Sequence, residues 1–188
     1  MIRKAVPADL PEIERVMRAS MAALGRAFYD EQQLASALRY IAIPDRALIE
    51  DGTYFVVEED GRIAACGGWS KRKKLYSGPA SEDEAEGWLD PAVDAARVRA
   101  MFVDPAHARR GLGRQILEAA EADALRAGFT RLELMATLPG VPLYTASGYE
   151  PVEDVTVELP DGVRLGCVRM RRTAPPLPFA PLAGRRWP

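Results

Sequence analysis

The run Arg109-Arg110-Gly111-Leu112-Gly113-Arg114, set between an apolar extended stretch and an amphipathic helix, constrains this chain more than any other feature. The stretch before it is Val98-Arg99-Ala100-Met101-Phe102-Val103, closed by Asp104-Pro105. The helix after it carries an apolar stripe at Ile116, Leu117, Ala120, Ala124 and Ala127 and stops at Gly128. A strand, a basic glycine turn and a helix together build an anion site. Glycine lets the backbone approach an anion closely, and the N–H groups of the first helical turn have no acceptor inside the helix. Arg109, Arg110 and Arg114 add charge where the helix dipole already favours an anion.

Other phosphate loops fit poorly. A Walker loop needs four residues between its glycines and a Lys-Ser or Lys-Thr after the second. A dinucleotide fingerprint needs a third glycine and belongs in the first strand–helix unit of a parallel sheet, whereas this turn lies past the middle of the chain. The remaining candidate is the pyrophosphate loop of an acyl-coenzyme A enzyme. Val103-Asp104-Pro105 followed by Gly111-x-Gly113 resembles the motif of the GNAT superfamily of acyl-CoA-dependent N-acetyltransferases, in which a strand ends in Val-x-Pro and Arg/Gln-x-x-Gly-x-Gly/Ala opens a helix. Ala108 stands at the leading Arg/Gln position, and Arg109 and Arg110 are the neighbouring cations. Downstream, Leu132-Glu133-Leu134-Met135-Ala136 reads as a strand. It is followed by Leu143-Tyr144 and, after Thr145-Ala146-Ser147, by Gly148-Tyr149, similar to the family's short tyrosine helix ending in Gly-Phe or Gly-Tyr. Gly148 suits a left-handed helix cap. The resemblance covers residues 1 to 170.

The elements fall in an order consistent with that family. Ile2–Val6 reads as a strand, and Asp9-Leu10-Pro11-Glu12 as a capping box opening a helix through Leu24. A second helix is expected over Glu31–Ile41, with Pro44 beyond it. Thr53–Glu58 and Arg62–Ser70 form a hairpin about Glu59-Asp60-Gly61, and an irregular insertion occupies residues 71–93. Closing strands are expected over Tyr149–Glu158 and Val163–Met170. The resemblance implies an α/β (α+β) fold: a mixed, mostly antiparallel seven-stranded sheet, splayed between its fourth and fifth strands and flanked by about four helices. One domain over 1–170 and a Pro/Arg-rich tail over 171–188 complete the division.

Composition agrees with one such enzyme domain. At 188 residues and 48% hydrophobic content the chain can bury a sizeable core, and its formal net charge of −2 gives no reason to expect nucleic acid. Cys66 and Cys167, each inside an expected strand, read as buried free thiols in a reducing compartment. No apolar stretch approaches bilayer length and no signal-like start precedes the first strand, so the expected setting is cytoplasmic, away from membranes. No metal is expected.

The resemblance further implies transfer of an acetyl group from acetyl-CoA, as co-substrate, to a primary amine of a small molecule or peptide, by direct attack through a tetrahedral intermediate. The pantetheine arm would pair with the fourth strand at Met101, Phe102 and Val103. The turn over Arg109, Arg110, Gly111, Leu112, Gly113 and Arg114 would hold the pyrophosphate. A backbone N–H near Phe102 would face the oxyanion. Tyr144 would protonate the departing thiolate; packing its ring on the cofactor is the alternative. A general base is not legible. Many relatives place a glutamate on the fourth strand, where this chain has Arg97 and Arg99; Glu133 is either the nearest carboxylate by motif or a solvated strand-face residue, His107 reads as a loop residue touching phosphate or solvent, and Asp104 as a turn stabiliser.

Acceptor choice is expected to rest on Phe28, Tyr29, Trp69, Tyr76 and Trp88, either as pocket walls or as ordinary core and loop anchors. Lys71-Arg72-Lys73-Lys74 reads as a solvated run or as an attractor of acidic groups. In the tail, Pro178-x-x-Pro181 favours extended backbone. Phe179 and Trp187 would suit strapping across the partner of a homodimer, the alternative to a tail without fixed structure. A non-catalytic acyl-CoA sensor or scaffold is the competing function.

Overall fold

A computed structural model describes residues 1–73 and 87–173. Seven strands form one sheet in the order β1-β2-β3-β4-β5-β7-β6: β1 Ile2–Lys4, β2 Tyr54–Glu59, β3 Arg62–Ser70, β4 Ala96–Val103, β5 Arg131–Thr137, β6 Glu150–Glu158 and β7 Arg164–Thr173. Every neighbouring pair is antiparallel except β4 and β5. Those two pair only at Ala96↔Leu132 and Arg97↔Glu133 before they diverge. The expected splay is therefore present. β7 runs three residues past the boundary at 170, so Arg171–Thr173 belong to the sheet.

Among the described residues, five α-helices flank the sheet: α1 Leu10–Leu24, α2 Glu31–Tyr40, α3 Arg46–Glu50, α4 Leu112–Arg126 and α5 Val141–Ala146. The sequence pattern omits α3, which is one turn long and capped by Asp45 through its bond from the Ala47 N–H. α1 buries Ile13, Val16, Met17, Ser20 and Met21 at helical spacing. Its start differs from the expected capping box. Pro7–Asp9 form a 3₁₀ turn, and the Asp9 carboxylate accepts from the Val6 N–H at 2.8 Å and from Arg3 at 2.7 and 2.9 Å. Asp30 instead makes the capping box, with Gln33, at the start of α2.

Two apolar layers sandwich the sheet. On one side, Leu112, Ile116, Leu117, Ala120 and Ala124 of α4 pack on Val98, Leu132, Leu134, Ala136, Val168 and Met170. Ala127, expected in that stripe, is exposed at the helix C-cap. The other side is closed by α1, α2 and α3 through Ile13, Met17, Ala37 and Leu48. Cys66 and Cys167 are free thiols inside this second layer, and burial pushes each up to about 12.

Candidate active site

The glycine turn has the geometry its sequence suggests. Asp104 caps the 3₁₀ turn Pro105–His107 through the Ala106 N–H and pairs with Arg15 at 2.6 Å, so it stabilises the turn. Arg109 and then Gly111 take left-handed φ values of 66° and 82°, swinging the chain into α4 with Gly111 as its N-cap. A Cβ at Gly111 would meet nothing within 4 Å, so that position faces open space. At Gly113 a Cβ would lie 3.2 Å from Leu143 and 3.3 Å from Val103, and glycine there lets α4 close on β4 and α5. The three arginines are not equivalent. Arg110 pairs with Glu59 at 2.8 Å and Arg114 with Glu118 at 2.8 Å, while Arg109 is exposed. His107 faces carboxylates, 3.9 Å from both Glu59 and Asp104.

A β-bulge shapes β4 where it leaves β5. Gly68 opposes Arg99 and Cys66 opposes Phe102, so Gly67 faces both Ala100 and Met101. Ala100 takes φ 53°, and its carbonyl accepts the Tyr54 hydroxyl at 2.8 Å. Beyond the bulge the Asp104 N–H donates to the Ala64 carbonyl at 2.8 Å. Strand alternation then turns the Phe102 backbone toward β3 and the Met101 and Val103 backbones toward the splay. The Phe102 side chain lines the cleft. Of the three expected backbone contacts, geometry thus favours Met101 and Val103.

The splay opens a cleft of about 90 Å³, room for a few small groups, walled by Ile41, Phe102, Met135, Val157, Leu165 and Tyr144. Arg99 also lines it, buried and paired with Asp45 at 2.7 Å. Tyr144 sits edge-on to Tyr149, 5.8 Å between centroids, on a helix ended by left-handed Gly148. Burial raises the Tyr144 hydroxyl above the ordinary tyrosine range.

Several expectations change. Glu133 is not solvated; it is buried and bound by Arg97, Arg169 and Arg171. Burial alone would raise its pKa, but the arginines prevail and hold it below the usual carboxylate range. Trp69 packs edge-on to Phe129 and donates to Asp123 at 3.0 Å on the α4 side, which makes it core. Trp88 lies against Lys71 and Arg72, and Arg72 is forked onto Asp51 at 2.7 and 2.8 Å. Phe28 is exposed, whereas Tyr29 is buried, donating to the Gly166 carbonyl and accepting from the Leu138 N–H. Tyr76, Lys74 and the tail anchors Phe179 and Trp187 lie outside the described residues. Among the described residues, no group of three His, Cys, Asp or Glu side chains is arranged to hold a metal ion, and no helix is long and apolar enough to cross a membrane.

The N-terminus of α4 thus follows a strand that splays away from its parallel neighbour. Residues 17–149 match the acetyltransferase (GNAT) family model, and the chain belongs to that family. Solved structures share the fold. A GCN5-related N-acetyltransferase from Rhodopseudomonas palustris superposes with TM-score 0.70 at 19% identity, covering 92% of this chain and 94% of that one. The Salmonella typhimurium protein yncA, described as a putative acetyltransferase with its cofactor acetyl-CoA, gives 0.62 at 20% identity over 98% of both chains. The ribosomal-protein-S18-alanine N-acetyltransferase of Escherichia coli gives 0.55 at 20% identity, covering 98% of this chain and 99% of that one. Among proteins of curated function, none matches this sequence significantly.

Proposed function

We propose that the chain transfers an acetyl group from acetyl-CoA to a primary amine. The observation that carries this reading is the splay: β4 is free of β5 beyond Arg97, leads into the glycine turn that opens α4, and has Tyr144 at the wall of the cleft it leaves. The N–H groups of Leu112, Gly113 and Arg114 converge on a pyrophosphate in front of Gly111, and Arg109 and Arg110 supply charge at its rim. Met101 and Val103 present strand hydrogen-bonding groups to the pantetheine amides, as an edge strand would to a new neighbour. Acetyl-CoA bound to yncA and the alanine acceptor named for the Escherichia coli enzyme support a thioester donor and an amine acceptor.

Attack of a neutral amine on the thioester carbonyl builds negative charge on oxygen, and a backbone N–H at the bulge is the donor aimed at it. Tyr144, protonated at neutral pH as any phenol is, gives its proton to the thiolate as the C–S bond breaks, and the proton shed by the attacking nitrogen restores it through water. The products are the acetylated amide and CoA thiol. Thioester consumption across a panel of small amines and peptide amino groups tests the reading. Turnover with at least one acceptor, dependent on Tyr144, is expected. Tight acetyl-CoA binding with no turnover of any amine would favour a sensor or scaffold instead.

A further inference from the structure

Arginines alternate along two strands, Arg97-x-Arg99 on β4 and Arg169-x-Arg171 on β7, so each pair shares one face of the sheet. Register brings the pairs together. Arg97 stands opposite Glu133, Glu133 opposite Arg171, and Met135 opposite Arg169. Met135 and Arg99 line the amine cleft, as does Cys167, two residues before Arg169. Of the four arginines Arg99 lines the cleft itself, and Arg97, Arg169 and Arg171 continue from it on the same face of the sheet.

Glu133 takes up contacts from Arg97, Arg169 and Arg171, and Asp45 pairs with Arg99. Among the described residues, two inner carboxylates face four arginines around a centre, Glu133 and Arg99, that is almost fully buried. Glu153, 4.0 Å from Arg169, and Glu150, opposite Arg171, stand on the exposed rim where solvent screens them. The Nε atoms of Arg97 and Arg169 are buried with no acceptor among the described residues. An unmet buried donor is costly unless a ligand completes it.

Resting on the acetyltransferase reading, we infer that Arg97, Arg169 and Arg171, with Arg99 at the cleft wall, form a subsite for the carboxylate of the acceptor, so that the amine substrate is an amino acid or an acidic peptide. Arginines that outnumber the inner carboxylates suit one further carboxylate. Guanidinium forks match its two oxygens, and the apolar walls at Ile41, Phe102 and Leu165 receive the rest of the molecule. Glu133 acts as a positioning residue that holds three of the forks in one plane of the sheet.

Product pairs that differ only in the carboxylate provide the test without relying on catalysis. N-acetylalanine against N-ethylacetamide, and N-acetylleucine against N-isoamylacetamide, are titrated by calorimetry into the protein with and without saturating CoA. In at least one pair the carboxylate member is expected to bind at least tenfold tighter, with an advantage that shrinks as salt rises. Arg169→Gln leaves Arg97 and Arg171 on Glu133, and should reduce that preference at least fivefold while leaving the neutral amide unchanged; Arg169→Lys should restore part of it. Equal affinity within each pair, no carboxylate binding up to millimolar concentration, or equal loss of both members in Arg169→Gln would overturn the inference. Failure of CoA to bind, or absence of turnover beside an intact carboxylate preference, would count against the transferase reading alone.

Discussion

Replacing Tyr54 by phenylalanine removes one oxygen, the donor that reaches the Ala100 carbonyl at 2.8 Å. Ala100 is a left-handed alanine inside a strand, a conformation that costs about 1–2 kcal/mol and persists only while its surroundings hold it. Tyr54 is almost wholly buried, and the vacated space is smaller than a water molecule, so the carbonyl stays unsatisfied in the variant. The lost bond and the stranded acceptor together cost about 1–3 kcal/mol. In a chain of this size that lowers Tm by about 2–10 °C. The same bond fixes the bulge that turns Met101 and Val103 toward the splay, so the chemical step should slow by about tenfold, with a smaller change in KM for acetyl-CoA. Thermal melts followed by circular dichroism, and steady-state kinetics at saturating acetyl-CoA, check both parts. A variant with wild-type Tm and wild-type kcat would show that the bulge holds without this hydroxyl, and the reasoning would fail.

Tyr144→Phe should lower kcat by about a hundredfold, the usual scale of general-acid help, and leave acetyl-CoA affinity nearly unchanged; an unchanged kcat with chemistry rate-limiting would reduce Tyr144 to a packing residue. Glu133→Gln removes the anion shared by three arginines and should destabilise by about 2–4 kcal/mol at neutral pH, below the range for wholly buried pairs because the arginines reach solvent. The folded pKa of Glu133 lies below its ordinary 4.5, so its contribution is present above that value and is lost as pH falls through the folded pKa. Denaturant melts should therefore show the gap between wild type and Glu133→Gln full at pH 7 and narrowing below pH 4.5; a gap constant down to pH 2 would contradict the ion-pair account.

Local chemistry made much of this site readable. Gly111 and Gly148 announce left-handed positions, Asp104-Pro105 announces a turn, and the apolar stripe of α4 announces which face meets the sheet. The splay came only through family likeness, since strand pairing is not written into either strand alone. Residues whose role depends on a distant partner were misread or missed. Glu133 looks solvated until β4 and β7 bring three arginines to it, and Trp69 stays open between pocket wall and core until α4 offers Asp123. Asp9 looks like a helix cap, but Arg3 and the Val6 N–H compete for its carboxylate and win. The period-two arginines at 97, 99, 169 and 171 were the available signal for a charged wall, and only the register shows that they share it.

Calorimetric titration of acetyl-CoA into the wild-type protein and Gly111→Asp tests the central claim most directly. The position has open space and φ 82°, and aspartate tolerates left-handed backbone at a cost of about 1–2 kcal/mol or less, so the variant should fold. Its carboxylate would stand where the N–H groups of α4 meet the pyrophosphate. Binding with a Kd on the order of micromolar in the wild type, weakened at least a hundredfold in the folded variant, is the expected result. Equal affinity in both proteins would contradict the placement of acetyl-CoA on this turn.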